Sequence, residues 1–165
     1  MNILIDGSGE TYFMGQKISY KIGKNGLTST KVEGDRKTPI GFLQPLAVYY
    51  RAGRMIRPKT RLPVYPIFPN DGWCDHPHDF YYNQHVRLPF RSSAEALWRQ
   101  DRLYDLFLVT NYNYPIATPG RGSAIFIHIM HPDQTPTQGC IAFEPTILRR
   151  IIQNMRVGEG FLVLI

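Results

Sequence analysis

Two residue types that together can perform acyl chemistry stand twelve positions apart in the last third of the chain. His128 lies within Ser123-Ala-Ile-Phe-Ile-His-Ile-Met130, and Cys140 closes the turn-rich run that begins at His131 and leads into Ile141-Ala-Phe143. A cysteine attacks a carbonyl as its thiolate, so it needs a neighbour to take the proton, and an imidazole that titrates near neutrality suits that task. Apolar residues on both parities make Ala124 to Met130 a buried strand, with Ile125, Ile127 and Ile129 on one face and Phe126, His128 and Met130 on the other. Pro132, Pro136, Thr135, Thr137 and Gly139 oblige the next segment to turn, which can return Cys140 to the side of the strand it left. Gly139 permits close approach, so the backbone N–H groups around Gly139 and Cys140 are candidates for stabilising an oxyanion. On spacing alone, a packed cysteine and a core histidine explain the pair more readily than chemistry does, because both types are common in interiors.

The elements that must position this pair read as mainly β. Ile3–Ile5, Thr11–Phe13 and Lys17–Ile22 are short strand-like runs separated by turn signals, among them Asn25-Gly26. A polar loop from Lys31 to Gly41 follows, punctuated by Gly34 and Pro39, in which Glu33, Asp35 and Lys37 are expected to form a solvated, salt-bridged turn. Phe42 to Tyr50 reads as a strand, and residues 51–72 as an ordered surface excursion rich in Arg and Pro. Ser92 to Asp101 combines a serine cap, an early glutamate and helix formers, so a short helix is expected there. Leu103 to Thr110 is a strand. Glu144 to Arg156 has Pro145 near its start and Ile147, Leu148, Ile151, Ile152 and Met155 on one face, which predicts a second helix ended by Gly158. Phe161 to Ile165 closes the chain as a strand.

At 165 residues and 43% hydrophobic content, the chain suits one domain, residues 1–165, with a core of its own. No run approaches the roughly 18 apolar residues of a spanning helix, and Met1 to Asp6 lacks a basic segment followed by a long apolar one, so neither a membrane anchor nor a signal peptide is expected. The net charge of +6 favours an anionic partner such as an acidic polymer or surface. Lys and Arg are scattered without a dense run or binding motif, which argues against nucleic acid. Two cysteines are too few for a disulfide framework, and pairing them would occupy the thiol of interest, so one buried and one reactive thiol are expected.

A second stretch invites other chemistry. Cys74, His76 and His78 would share one face of an extended chain and are zinc-ligand types, so a zinc peptidase is an alternative reading. Pro77 disrupts a regular strand, however, and only His85 and His131 offer loose further donors. Trp73, Asp75, Tyr82 and Asn83 are candidates to line a peptide groove, with ordinary core packing as the competing account.

Thr137-Gln-Gly-Cys140, preceded by a strand with a central histidine, resembles the active-site signature of the YkuD-type L,D-transpeptidases, in which a histidine is followed after a gap by Ser/Thr-His-Gly-Cys. Glu33-Gly-Asp-Arg-Lys-Thr-Pro-Ile-Gly41 is similar to the family's early loop. Asp71-Gly-Trp-Cys-Asp75 with Tyr82-Asn83, and Gly120-Arg-Gly-Ser-Ala-Ile-Phe126, are similar to a branch of it, so the resemblance runs from about residue 30 to the end. It implies a β-sandwich-like catalytic domain with two short helices here, no cofactor, and peptidoglycan stem peptides as substrate. Cys140 would attack the carbonyl of an L-configured centre, a D-residue would leave, and the thioester would pass to an amine acceptor or to water, with His128 as base and then acid. It also implies a place in the bacterial envelope or periplasm. Three departures stand out: Gln138 replaces a histidine, the gap from His128 is short, and Ala142 occupies the position of a common arginine. The last removes a fixed cation, which Arg121 is a candidate to replace. Thr137 and Gln138 are candidates to bond substrate or to hold their own turn. A non-catalytic wall-binding module would keep the groove and the basic surface without needing the thiol.

Overall fold

In the computed structural model, which describes residues 2–165, strand residues that alternate in sequence separate onto the two faces of a central seven-stranded sheet. Its strands run in the order Glu10–Phe13, Gln16–Lys21, Ile141–Phe143, Phe126–Ile129, Leu106–Thr110, Pro45–Tyr50 and Val64–Pro66. Phe126–Ile129 pairs in parallel with Ile141–Phe143, and antiparallel with Leu106–Thr110. On one face Ile125, Ile127, Ile129, Leu106, Leu108 and Ile141 are buried beneath a second layer. That layer is a three-stranded sheet, with Phe161–Val163 between Ile3–Ile5 and Gly41–Leu43, together with the helix Pro145–Asn154. Pro145 suits the helix start because the N–H it lacks has no partner there. Leu148, Ile151 and Ile152 are fully buried, each contributing about 1.5–3 kcal/mol by leaving water.

The opposite face carries His128 and leads to Cys140. Phe107, Val109 and Phe126 pack there with Trp73, Leu97, Tyr104 and Cys140. The cover is a small sheet in which Asp71–Cys74 lies between His85–Arg87 and Ala94–Ala96, antiparallel to both. Trp73 meets Phe126 edge-on at 5.0 Å between centroids, and Phe126 meets Phe107 at 4.8 Å.

The helix expected over Ser92–Asp101 is not formed; the described residues hold one helix rather than two. Ala94–Ala96 instead extends as a strand with Glu95 opposite Trp73. Ser92, read as a helix cap, donates its hydroxyl to Asp79 Oδ2, and Trp98 lies under the Arg51 guanidinium at 3.2 Å. Helix propensity amounts to tenths of a kcal/mol per residue, so these distant partners decide the outcome. The expected strand Phe42–Tyr50 divides between two sheets at Gln44, whose N–H donates to Asn111 Oδ1 at 2.9 Å. Residues 51–72 are ordered, with Leu62 and Ile67 buried.

The polar loop after Lys31 is partly solvated, with Val32, Gly34 and Arg36 exposed and Asp35 paired with Lys31, but its end is built into the protein. Thr38 is fully buried; it accepts the Gly23 N–H at 2.8 Å and donates its hydroxyl to the Gly139 carbonyl at 2.8 Å. Thr137 donates to the Cys140 carbonyl at 2.6 Å and accepts the Gly139 N–H at 3.1 Å. Its own backbone bonds the Ile22 carbonyl and the Lys24 N–H, each at 2.9 Å. Two hydroxyls therefore hold the turn that delivers Cys140. Thr38→Val leaves a buried carbonyl and a buried N–H without partners, so it should lower stability by about 1–3 kcal/mol. Urea denaturation should show this as a reduced midpoint, with Thr38→Ser losing less than half as much.

Candidate active site

Parallel pairing sets Ile127 opposite Ile141 and His128 opposite Ala142, which places Cys140 one residue ahead of the ladder, beside Phe126. The Cys140 thiol donates to the Ala124 carbonyl at 3.1 Å and accepts the Phe126 N–H at 3.4 Å. His128 Nδ1 lies 2.8 Å from the Ile129 carbonyl oxygen. A carbonyl can only accept, so Nδ1 carries the proton and Nε2 keeps its lone pair, which is the tautomer a general base requires. Both side chains line one cavity of about 540 Å³. Among the described residues no hydrogen bond joins them directly, because the thiol is directed at Ala124.

Burial dominates the electrostatics. It pushes the Cys140 thiol up to about 12; the Phe126 N–H and the charge of Lys31 oppose the shift, and Glu95 reinforces it. Burial also pushes the His128 imidazole down to about 4, against the pull of the Ile129 carbonyl. At neutral pH the pair rests as thiol and neutral imidazole. The cavity wall carries three carboxylates, Glu33, Asp75 and Glu95, and three cations, Lys31, Arg36 and Arg99. Tyr104 is buried edge-on to His128, with centroids 5.5 Å apart, and donates its hydroxyl to Glu95 Oε1 at 2.7 Å. Burial holds the Glu95 carboxyl above its ordinary value although Tyr104 and Arg99 oppose this, and Asp75 and Glu33 add to it. Among the described residues, Asp75 Oδ1 is buried without a hydrogen-bond partner.

Of the residues singled out in the sequence, Thr137, Gln138 and Asp75 line the cavity with Cys140 and His128. Gly139 adopts φ +136°, and a Cβ there would lie 2.9 Å from the Lys37 carbonyl, so the backbone itself demands glycine. Its N–H is bound by Thr137. Trp73, Tyr82 and Asn83 are buried and do not line the cavity. They form a buttress behind it: Trp73 Nε1 donates to Asn83 Oδ1 at 2.8 Å, and the same oxygen accepts the Ala124 N–H at 2.9 Å. Tyr82 donates to Glu33 and accepts the Gly122 N–H at 3.0 Å. These three residues thus fix the segment whose carbonyl receives the thiol. Arg121 is exposed and lies outside the cavity.

The zinc arrangement is corrected by the backbone. The strand ends at Cys74, so the alternation that would align the three ligands stops there. Cys74 is buried, whereas His76 and His78 are exposed in a turn closed by the His78 N–H on His76 Nδ1. Among the described residues no three of His, Cys, Asp and Glu form a metal-holding group.

Lys31, Glu95, Arg99 and Tyr104 line the cavity without having stood out in the sequence. Glu95 and Arg99 lie in the segment expected to be a helix, and their side chains meet at 3.7 Å.

The family model of the L,D-transpeptidase catalytic domain, YkuD, matches residues 4–165. The chain belongs to this family. Comparison with curated proteins and with solved structures returns no match. The YkuD domain here keeps the histidine strand and the Gly-Cys turn, while its cavity cations come from Lys31, Arg36 and Arg99 rather than from position 142. No described helix is long and apolar enough to cross a membrane.

The two shifted groups make stability depend on pH. Unfolded histidine titrates near 6.5 and folded His128 near 4, so the unfolded chain binds more protons between those values. Stability should therefore fall as pH drops from about 6.5 toward 4, by about 3 kcal/mol from this residue. For Cys140 the folded value is the higher one, so stability should fall as pH rises above about 9 toward 12. Urea denaturation across pH should show both slopes, with His128→Asn flattening the acid one and Cys140→Ala the alkaline one.

Proposed function

We propose that the protein is a cysteine-dependent L,D-transpeptidase that acts on peptidoglycan stem peptides through a thioester. The observation that carries this reading is the His128 Nδ1 bond to the Ile129 carbonyl, which leaves an unprotonated Nε2 in the cavity that also holds the Cys140 sulfur. As the carbonyl of the L-configured centre arrives, Cys140 Sγ attacks its carbon and the thiol proton passes to Nε2. The carbonyl π electrons move to oxygen, where the Cys140 N–H is the donor at hand, the Gly139 N–H being held by Thr137. Collapse of the tetrahedral intermediate breaks the C–N bond, and His128 returns the proton to the departing D-residue's amine. An amine acceptor then attacks the thioester with the same base, or water does so, giving transfer or L,D-carboxypeptidase action respectively.

The neutral resting pair suits this order of events. A thiol held protonated by burial stays unreactive until substrate supplies an electrophile, so proton transfer and attack are coupled. Asp75, Thr137 and Gln138 are the residues to bond the stem within the cavity. Such a substrate places the protein's work in the bacterial envelope.

Tetrapeptide-stem muropeptides incubated with the protein and analysed by mass spectrometry test the reading. Loss of one D-residue reports hydrolysis, and a dimer that has lost one D-residue reports transfer. Cys140→Ala should abolish both, and His128→Asn should slow them by about 10²–10⁴-fold. Equal turnover by Cys140→Ala would sink the assignment; binding of sacculi with no turnover by the unaltered protein would mark a binding module instead.

A further inference from the structure

We propose that Lys31 is a positioning residue for the nucleophile: a buried ammonium that clamps the loops on either side of Cys140 and supplies the positive charge its sulfur needs as a thiolate. The inference rests on the reading of Cys140 as the attacking group. Lys31 is 4% exposed, and its Nζ forms an ion pair with Asp35 Oδ1 and donates to the Val32 carbonyl at 3.0 Å. A buried ammonium is costly unless paired, and Asp35 meets that cost here while leaving the cation in the wall of the cavity that Cys140 lines.

Its stem lies between the two loops that define the thiol's surroundings. A Cβ on Gly122 would come within 3.0 Å of Lys31 Cγ, and one on Gly139 within 3.7 Å of its Cε. Gly122 leads into Ala124, the thiol's acceptor, and Gly139 immediately precedes Cys140. Asp35 is itself fixed, accepting the Val32 N–H at 2.9 Å and the Lys37 N–H at 2.8 Å. Although burial opposes it, these bonds and the one from Lys31 hold the Asp35 carboxyl below its ordinary value, so it faces Lys31 as a carboxylate. The other titratable or charged groups lining the cavity are His128, Tyr104, Glu95, Glu33, Arg36, Asp75, Arg99 and His131. Of these influences on the thiol, Glu95 disfavours the thiolate and Lys31 favours it. With Ala142 on the strand after Cys140, Lys31 supplies this charge from the loop packed against Gly139.

The test measures the rate of Cys140 alkylation by iodoacetamide as a function of pH, with peptide mass mapping to separate Cys140 from Cys74. Lys31→Met deletes the cation and leaves the Asp35 carboxylate, so alkylation at pH 8 should slow by about threefold to tenfold and the profile should move to higher pH. Asp35→Asn leaves the cation uncompensated, so the rate should rise by about threefold and the profile should move to lower pH. Lys31→Arg should stay within about twofold. Shifts in the same direction for Lys31→Met and Asp35→Asn, each of which breaks the same pair, or no shift in either, would overturn the inference. Should Lys31→Met fail to fold, Asp35→Asn and Lys31→Arg carry the test alone. Alkylation needs no stem peptide, so opposite shifts without muropeptide turnover would retain the role of Lys31 and reject the transpeptidase reading. Turnover that depends on Cys140 without those shifts would do the reverse.

Discussion

The parallel pairing of Phe126–Ile129 with Ile141–Phe143 is the constraint on which the site depends. Adjacent parallel strands cannot be joined by a tight hairpin; the chain must travel back the length of the sheet before it pairs again. Here that return is made by a turn-rich loop rather than by a helix, so it has little internal packing to hold its shape. Thr38 and Thr137 make up for this with hydroxyl bonds to the carbonyls of Gly139 and Cys140, and Gly139 takes a backbone conformation that brings it against the Lys37 carbonyl. Cys140 is consequently held just before its strand, where Phe126 and Ala124 meet it from the start of the neighbouring strand and the residues leading into it.

Burial of that pair sets its chemistry. A low-dielectric surrounding penalises both thiolate and imidazolium, so the two residues rest neutral and the protein stores no preformed ion pair. The Ile129 carbonyl settles the imidazole's tautomer at no cost in charge, and Tyr104 packs edge-on against the ring. The cavity wall supplies charge through both carboxylates and cations. That wall comes from the loop after Lys31 and from the small sheet centred on Asp71–Cys74, both of which have their own anchoring bonds.

Much of this was legible in the residues. The alternation from Ala124 to Met130 correctly separated the isoleucine face from the face bearing His128, because both faces of a central strand are buried and period two leaves no other assignment. The helix after Pro145 was equally readable, with its apolar stripe falling on Leu148, Ile151 and Ile152. Ser92–Asp101 was not. Its helix-forming residues are outweighed by Trp73, Asp79 and Arg51, none of which is a local neighbour. Trp73, Tyr82 and Asn83 carry groove-lining chemistry, yet their polar atoms are consumed in holding the Gly122–Ala124 segment from behind.

By itself the sequence determined the mainly β character, the face on which His128 lies, and the turn that returns Cys140, since these follow from periodicity and from where proline and glycine force the backbone to bend. Only the tertiary structure decided which carbonyl orients the imidazole, which way the thiol points, and that Lys31, Glu95 and Tyr104 surround it. The physical reason is that these are distances between segments remote along the chain. Periodicity records whether a side chain faces inward, but the identity of the group it meets is set by how separate layers pack.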